Sequence, residues 1–140
     1  MKKISKVVAR QVYDSRGTPT VEAEVYVKNL SESAICPSGA STGFYEAFEN
    51  RDKSNKKYLG KSVFAAINLI NSKISRALRI KNIHDQERID EILINLDGTK
   101  QKIKLGANAI LSVSMAAKKL SAKVKRIPLY KSFYVTKNFQ

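Results

Sequence analysis

Two periodicities divide the chain. Up to about residue 36 apolar and polar positions alternate, and beyond about residue 60 apolar positions recur at helical spacing. Residues 4–13 and 20–28 read as strands. In the second, Val21, Ala23, Val25 and Val27 fall on one face, and Glu22, Glu24, Tyr26 and Lys28 on the other. Such alternation predicts a sheet with one buried and one solvated face. The Asp14-Ser15-Arg16-Gly17-Thr18-Pro19 segment between them has turn composition. A short third strand is predicted over 33–36, after a turn at 28–32, giving a three-stranded antiparallel meander.

The second half reads as helices. Val63, Ile67, Ile70, Ile74 and Leu78 mark an amphipathic helix over 61–79. A second is predicted over 86–96, capped by Asp85, lined by Ile89, Leu93 and Leu96, and ended by Asp97-Gly98. A third covers 107–125, with Ala107, Ile110, Leu111, Ser114, Ala117 and Leu120 expected inward and Pro128 preventing its continuation. A short helical turn is expected at 45–49 and a polar loop at 51–57. Strands followed by helices make an α+β fold, a meander with a helical bundle on one face. Residues 131–140 show no cap, closing element or periodicity and read as a truncated start of a linker.

Composition narrows the function classes. A chain of 140 residues is one domain by length. The single cysteine, Cys36, permits no internal disulfide and suits a reducing compartment; it reads as a small buried apolar residue. No stretch is long and apolar enough to cross a membrane, and the basic start lacks the apolar middle of a signal peptide, so a cytoplasmic location is expected. The net charge of +14 permits polyanion binding. Its source is mostly lysine, 19 of 26 basic residues, spread along the chain with no Arg-rich block or aromatic platform. That spread weighs against nucleic acid as a partner.

Candidate chemistry within the chain is sparse. One histidine and one cysteine cannot make a zinc site, and His84 reads as a surface residue in a helix-approach turn. Gly60-Lys61-Ser62 ends like a P-loop, but the required earlier glycine position holds Asn55. Asp85, Glu87, Asp90 and Glu91 crowd one helix start, where they complement its dipole. No carboxylate set is placed to hold magnesium unaided.

One segment stands apart. Pro37-Ser38-Gly39-Ala40-Ser41-Thr42-Gly43 combines two glycines with three hydroxyl side chains directly after a strand. It can bring backbone close to a ligand and offer neutral oxygens to a hard cation. Asp14-Ser15-Arg16-Gly17-Thr18-Pro19-Thr20-Val21-Glu22 precedes it, and Leu96-Asp97-Gly98-Thr99, Leu105-Gly106-Ala107-Asn108-Ala109-Ile110-Leu111 and Ile127-Pro128-Leu129-Tyr130 follow. In this order and spacing the blocks closely resemble the amino-terminal domain of enolase (phosphopyruvate hydratase), from about residue 4 to about residue 130.

The resemblance implies a lyase of glycolysis, the Mg²⁺-dependent dehydration of 2-phosphoglycerate to phosphoenolpyruvate. Enolase-superfamily sites are a standard example of a Lys or His base acting beside Mg²⁺ ions that stabilise an ene-diolate. In the family the base and the carboxylates of the first metal lie in a carboxy-terminal α/β barrel of about 250 residues, so no catalytic residue is expected here. The chain alone is expected to be inactive. By the resemblance, Gly39, Ala40, Ser41 and Thr42 form a mobile substrate-binding lid, and Ser41 ligates the second Mg²⁺. Arg10 and Glu22 match positions that make ion pairs across a homodimer interface, and Arg16 sits in a conformationally fixed turn. The implied division is a domain over 1–130 and a linker start over 131–140, the barrel being absent. Thr18 replaces the family's usual asparagine, and Asn50 replaces a usual leucine, which puts one apolar contact in question. The residues alone leave a second reading: a stand-alone, non-catalytic module or degenerate remnant with polyanionic partners.

Overall fold

The β2–β3 connection sets the geometry of the sheet. A computed structural model of the chain describes residues 2–39, 43, 45–54 and 56–133. Strands β1 (Lys6–Tyr13), β2 (Pro19–Val27) and β3 (Leu30–Ile35) pair antiparallel in the order β1-β2-β3. Lys28 and Asn29 alone join β2 to β3, with Val27 opposite Leu30. The third strand is therefore longer and begins earlier than the predicted 33–36. The predicted turn at 28–32 is shorter because Ser31 and Glu32 find ladder partners on β2. Val21, Ala23, Val25 and Val27 are all buried, as their alternation requires.

The helical half contains α1 (Phe64–Leu69), a π-helical turn (Ile70–Ile74), α2 (Ser75–Leu78), α3 (Gln86–Asp97) and α4 (Ala107–Lys125). The first three run on as one rod along β1. Its apolar stripe, Val63, Ile67, Ile70, Ile74 and Leu78, is buried throughout. Beside that stripe, polar side chains close the open edge of β1. Asn71 Oδ1 accepts from the Ala9 N–H at 2.7 Å and its Nδ2 donates to the Ala9 carbonyl at 3.2 Å. Ser75 Oγ accepts from Val7 N at 3.2 Å, and Gln11 Oε1 from Val63 N at 3.1 Å. At residues 7 and 9 the edge of β1, which could pair with another chain, is thus satisfied internally.

Helix ends follow their local chemistry. Asp85 caps α3 by accepting from Arg88 N at 3.1 Å, and Gly98 ends it in the left-handed region at φ 69°. The rod starts later than predicted, at Phe64, and its cap is distant in sequence: Asp52 accepts from Phe64 N and Ala65 N at 2.9 and 3.0 Å. The expected helical turn at 45–49 does not form; beyond a turn at Tyr45 the segment is irregular.

Helix α4 crosses β2 and β3, with α3 packed on its side. Its inward face differs from the predicted one. Ala109, Val113, Ala116, Ala117 and Leu120 are buried, whereas Leu111 is exposed and Ala107, Ile110 and Ser114 only half-buried. Small residues surround this helix, so its periodicity selects a face only weakly and contact with the sheet decides. The chain after α4 makes a short 3-10 turn, Leu129–Phe133, against α4. Lys118 Nζ donates to the Ser132 carbonyl at 2.8 Å and sits 4.9 Å from the centre of the Phe133 ring. A closing element therefore exists at 129–133, contrary to expectation, while residues 134–140 lie outside the described chain.

Candidate functional site

The Ser/Gly/Thr segment leaves β3 at the end of the sheet where β2 begins. Ala40, Ser41 and Thr42, the centre of the expected lid and its metal ligand, lie outside the described residues. Gly39 is described and exposed. The structure therefore speaks to how the two ends of the segment are held.

The upstream end is fastened to β2. Cys36 N donates to the Val21 carbonyl at 2.9 Å, and Thr20 Oγ1 donates to the Cys36 carbonyl. Cys36 itself is buried, which pushes its thiol up to about 11; the nearby Glu49 charge adds to the shift and Arg51 opposes it. It is a protonated thiol at neutral pH, as its reading as a packing residue requires.

Next along the chain, Ser38 is held by Arg51. Arg51 Nη2 donates to Ser38 Oγ at 3.0 Å and to Glu49 Oε1 at 2.8 Å. Its Nη1 donates to the Pro19 carbonyl at 3.0 Å and also to the Lys61 carbonyl. One planar guanidinium thus joins the start of β2, the base of the segment and the approach to α1. Arg16 Nη2 lies 3.5 Å from the Ser38 carbonyl, and the Arg16 turn is fixed by Asp14. The hydrogen bond from the Thr18 amide, opposed by burial and helped by the Arg16 amide, holds the Asp14 carboxyl below its ordinary range. Sequence reasoning placed Arg51 in a polar loop and missed its role. Nothing local distinguishes an arginine that gathers three distant chain segments from a solvated one.

The downstream end is fastened to the loop between α3 and α4. Gly43 N donates to Glu46 Oε2 at 2.8 Å, and Glu46 N to the Gly43 carbonyl at 3.1 Å. Beyond it Phe48 N donates to the Gln101 carbonyl at 2.8 Å, and Ala107 N to the Phe48 carbonyl at 2.7 Å. Asn108 reads the backbone of residue 50 like a strand neighbour: its Oδ1 accepts from Asn50 N at 3.0 Å and its Nδ2 donates to the Asn50 carbonyl at 2.9 Å. The Asn50 side chain, whose apolar predecessor looked like a loss, instead donates to the Leu105 carbonyl at 3.3 Å. This close lamination requires Gly106. A Cβ there would stand 2.5 Å from Asn50 Cβ and 2.6 Å from Asn108 Oδ1, and the φ of 91° disfavours any side chain.

Asp97 organises the α3–α4 loop from inside. It is fully buried and accepts from Leu105 N at 2.7 Å, Lys104 N at 3.1 Å and Thr99 N at 3.0 Å, with a further bond from Thr99 Oγ1. Burial opposes its ionisation, but the Thr99 hydroxyl and the three amides outweigh that and hold its pKa below the ordinary value. The sequence reading saw in Asp97-Gly98 only a helix stop.

Arg10 and Glu22 stand directly opposite each other in the β1–β2 register, on the sheet face away from the helices. Arg10 Nη1 lies 3.2 Å from Glu22 Oε2, and its Nη2 bonds to Glu24. Ser33 Oγ donates to Glu22 at 2.9 Å and Ser31 Oγ to Glu24 at 2.7 Å. The Ser31 bond first, then Arg10, lowers the Glu24 pKa. The two residues expected at an interface thus pair within the chain.

His84 is not the plain surface residue expected. It is half-buried with Nδ1 2.9 Å from Ser121 Oγ, and burial, followed by Lys125, the terminal amine and Lys2, lowers its pKa.

Among the described residues no group of three or more His, Cys, Asp or Glu side chains could hold a metal ion. The donor set of the 37–43 segment is one of neutral oxygens. It suits a hard cation only as a supplement to carboxylates or waters supplied from elsewhere. No helix of the described residues is long and apolar enough to cross a membrane.

Comparison with known proteins agrees with this layout. The family model described as the enolase N-terminal domain matches residues 4–133. A protein named enolase from Pelagibacter ubique (strain HTCC1062) is 71% identical over 140 residues, covering 100% of this chain and 34% of that relative. The chain therefore spans about a third of the length of the relative it matches.

Proposed function

The chain belongs to the enolase amino-terminal domain family, and we propose that it acts as the lid-bearing domain of an enzyme dehydrating 2-phosphoglycerate to phosphoenolpyruvate. On this reading a barrel domain, joined through a linker beginning near residue 131, supplies the base and the carboxylates. The 140-residue chain alone does not turn over substrate. The reaction belongs to glycolysis and the cytoplasm.

The observation that supports the reading is the fastening of both ends of the 40–42 segment. Arg51 holds Ser38 on one side, and Gly43 and Glu46 close a turn on the other, itself continuous with the backbone laid on Asn108 and Gly106. Fixed ends around a short Gly/Ser/Thr centre let the centre approach a bound ligand without unravelling the sheet. Bound Mg²⁺ would neutralise charge developing on the substrate carboxylate. Ser41 would offer it neutral oxygen, while Gly39, Ala40 and Thr42 contribute backbone at the substrate and exclude water. Arg10 and Glu22, already paired with each other, would face the barrel of a second subunit and exchange or extend that pair in a homodimer.

The test is made in a full-length protein carrying this domain. Ser41→Ala is expected to lower turnover by on the order of a hundredfold with little change in melting temperature, since one misplaced ligand costs geometry more than stability. Ser38→Ala is expected to act mainly on stability, because its hydroxyl is engaged by Arg51. If Ser41→Ala leaves turnover intact, or acts only by unfolding, the lid assignment is wrong. Phosphoenolpyruvate formed by the purified 140-residue chain above background would overturn the division of labour.

A further inference from the structure

At the other end of β2 from the 37–43 segment lies a feature that the enzymatic reading does not use. Val27 and Pro19 are the two ends of a nine-residue strand, so the separation is about 25 Å. There the amino-terminal segment, the β2–β3 turn and the end of α2 line an open hollow of about 530 Å³. Its walls carry Lys2, Lys3, Lys28 and Arg79, and no acidic residue. All four cations are exposed, and among the described residues none of their side chains makes an ion pair or hydrogen bond.

Among the described residues unpaired exposed cations also occur elsewhere, as at Lys73, Arg76 and Lys104; this cavity differs in that four line one hollow with no acidic residue among them. Arg10 pairs with Glu22 and Glu24, Arg51 with Glu49, Arg88 with Glu91, and Lys119 and Lys123 with Glu32. Four exposed like charges from three chain segments around one hollow make a locally positive surface that attracts anions. The carboxyl end of α2 accounts for one cation, Arg79, and not for the other three. The backbone around the cavity is also unusual. Lys28 has φ 54° and Ile80 φ 65°, left-handed values that are rare outside glycine and asparagine and most rare for a β-branched residue. The Lys28 value belongs to the two-residue β2–β3 hairpin turn, whereas Ile80 is held by its amide bond to the Ile4 carbonyl at 2.9 Å, which fixes the floor of the cavity. The positive field extends beyond the cavity, since Lys2 and Lys125 both act on His84.

We propose that this cavity binds a short oligophosphate, a ligand with two or more linked phosphates, held by Lys2, Lys3, Lys28 and Arg79. The open, basic hollow suits a multiply charged ligand, with Arg79 supplying the planar fork that grips one phosphate while the lysines act as movable point charges.

The experiment is an amide-resolved NMR titration of the 140-residue chain with inorganic tripolyphosphate at low ionic strength, with orthophosphate as comparison. Saturable shifts at 2–5, 27–29 and 79–81 are expected, with tripolyphosphate at least about tenfold tighter than orthophosphate. The double variant Lys3→Gln/Arg79→Gln is expected to weaken binding by about tenfold or more. Lys28→Asn, which keeps a residue tolerant of the left-handed turn, is expected to weaken it several-fold and guards against a folding artefact in the first variant. The control pair Lys100→Gln/Lys104→Gln removes the same net charge elsewhere and should leave affinity unchanged. Equal weakening by the control pair, or shifts spread over all lysine-rich surfaces, would overturn the site in favour of diffuse charge. A single-stranded oligonucleotide that outcompetes tripolyphosphate at equal phosphate concentration would overturn the ligand class in favour of nucleic acid. Each outcome is independent of enolase turnover.

Discussion

The helix-facing side of the sheet and the loop layer around residues 36–62 and 97–108 are built on different principles. The first is a continuous apolar packing of Val21, Ala23, Val25 and Val27 against Ile70, Ile74, Val113 and Leu120, all buried. Each fully buried side chain of this kind contributes about 1.5–3 kcal/mol, and the contribution is shared among many neighbours. The second holds irregular backbone with single polar residues: Arg51 for three other segments, Asn108 for residue 50, and Asp97 for four donors. Packing of the first kind degrades gradually when altered. Polar fastening of the second kind depends on one group at one place, because a buried donor or acceptor left without its partner costs more than the bond contributes. The family's glycine-rich segment hangs from the second kind of structure.

The sharpest way to break this comparison is to add one methyl group to the loop layer and remove one from the core. Gly106→Ala places a Cβ 2.5 Å from Asn50 Cβ at a φ of 91° and is expected to cost about 3 kcal/mol or more. Ile70→Val is expected to cost about 1 kcal/mol. Urea unfolding of both variants decides, and a larger loss for Ile70→Val would show that the loop layer yields more easily than its geometry suggests.

A smaller effect is expected at Arg51. Arg51→Lys keeps the charge but not the fork, so it should lose most of the bonds to Ser38, Pro19, Lys61 and Glu49, at about 2 kcal/mol. Protection of the Ser38 and Lys61 neighbourhoods from hydrogen exchange should fall with it. If Arg51→Lys melts like the parent chain, the guanidinium is not the fastening described.

The smallest expected effect concerns pH. The carboxyl of Asp97 is held below its ordinary value in the folded chain. Its contribution to stability is therefore fully present above the ordinary aspartate range and is lost as pH falls through the lower, folded value. Asp97→Asn should cost about 1–2 kcal/mol at neutral pH and flatten the acid limb of a stability–pH curve, because the charge-assisted bonds are gone at every pH. A variant as acid-sensitive as the parent would place the acid response elsewhere, for instance in Asp14, whose carboxyl is lowered as well.

The amino-acid sequence by itself determined the fold class, the two hairpin strands β1 and β2, the apolar stripe of the α1–α2 rod, both ends of α3 and the span of α4. These are written in local spacing, since a period of two or of 3.6 and an Asp or Gly at a helix end act within one turn or one strand. It also carried the family motif, whose centre at Ala40, Ser41 and Thr42 falls outside the described residues. Tertiary structure alone decided the inward face of α4, where alanines and serines on several sides left the pattern nearly neutral. It also decided the length of β3, whose polar Ser31 and Glu32 belong to the strand through pairing with β2. Arg51, Asp52, Asn71, Asp97 and Asn108 read as ordinary polar residues, because each finds its partners at sequence distances that no local pattern spans: Asn108 meets residue 50, and Asn71 meets Ala9. The same holds for the four cations around the hollow at the far end of β2. They are scattered along the chain as lysine-rich composition and become one site only when the sheet and the rod bring their ends together.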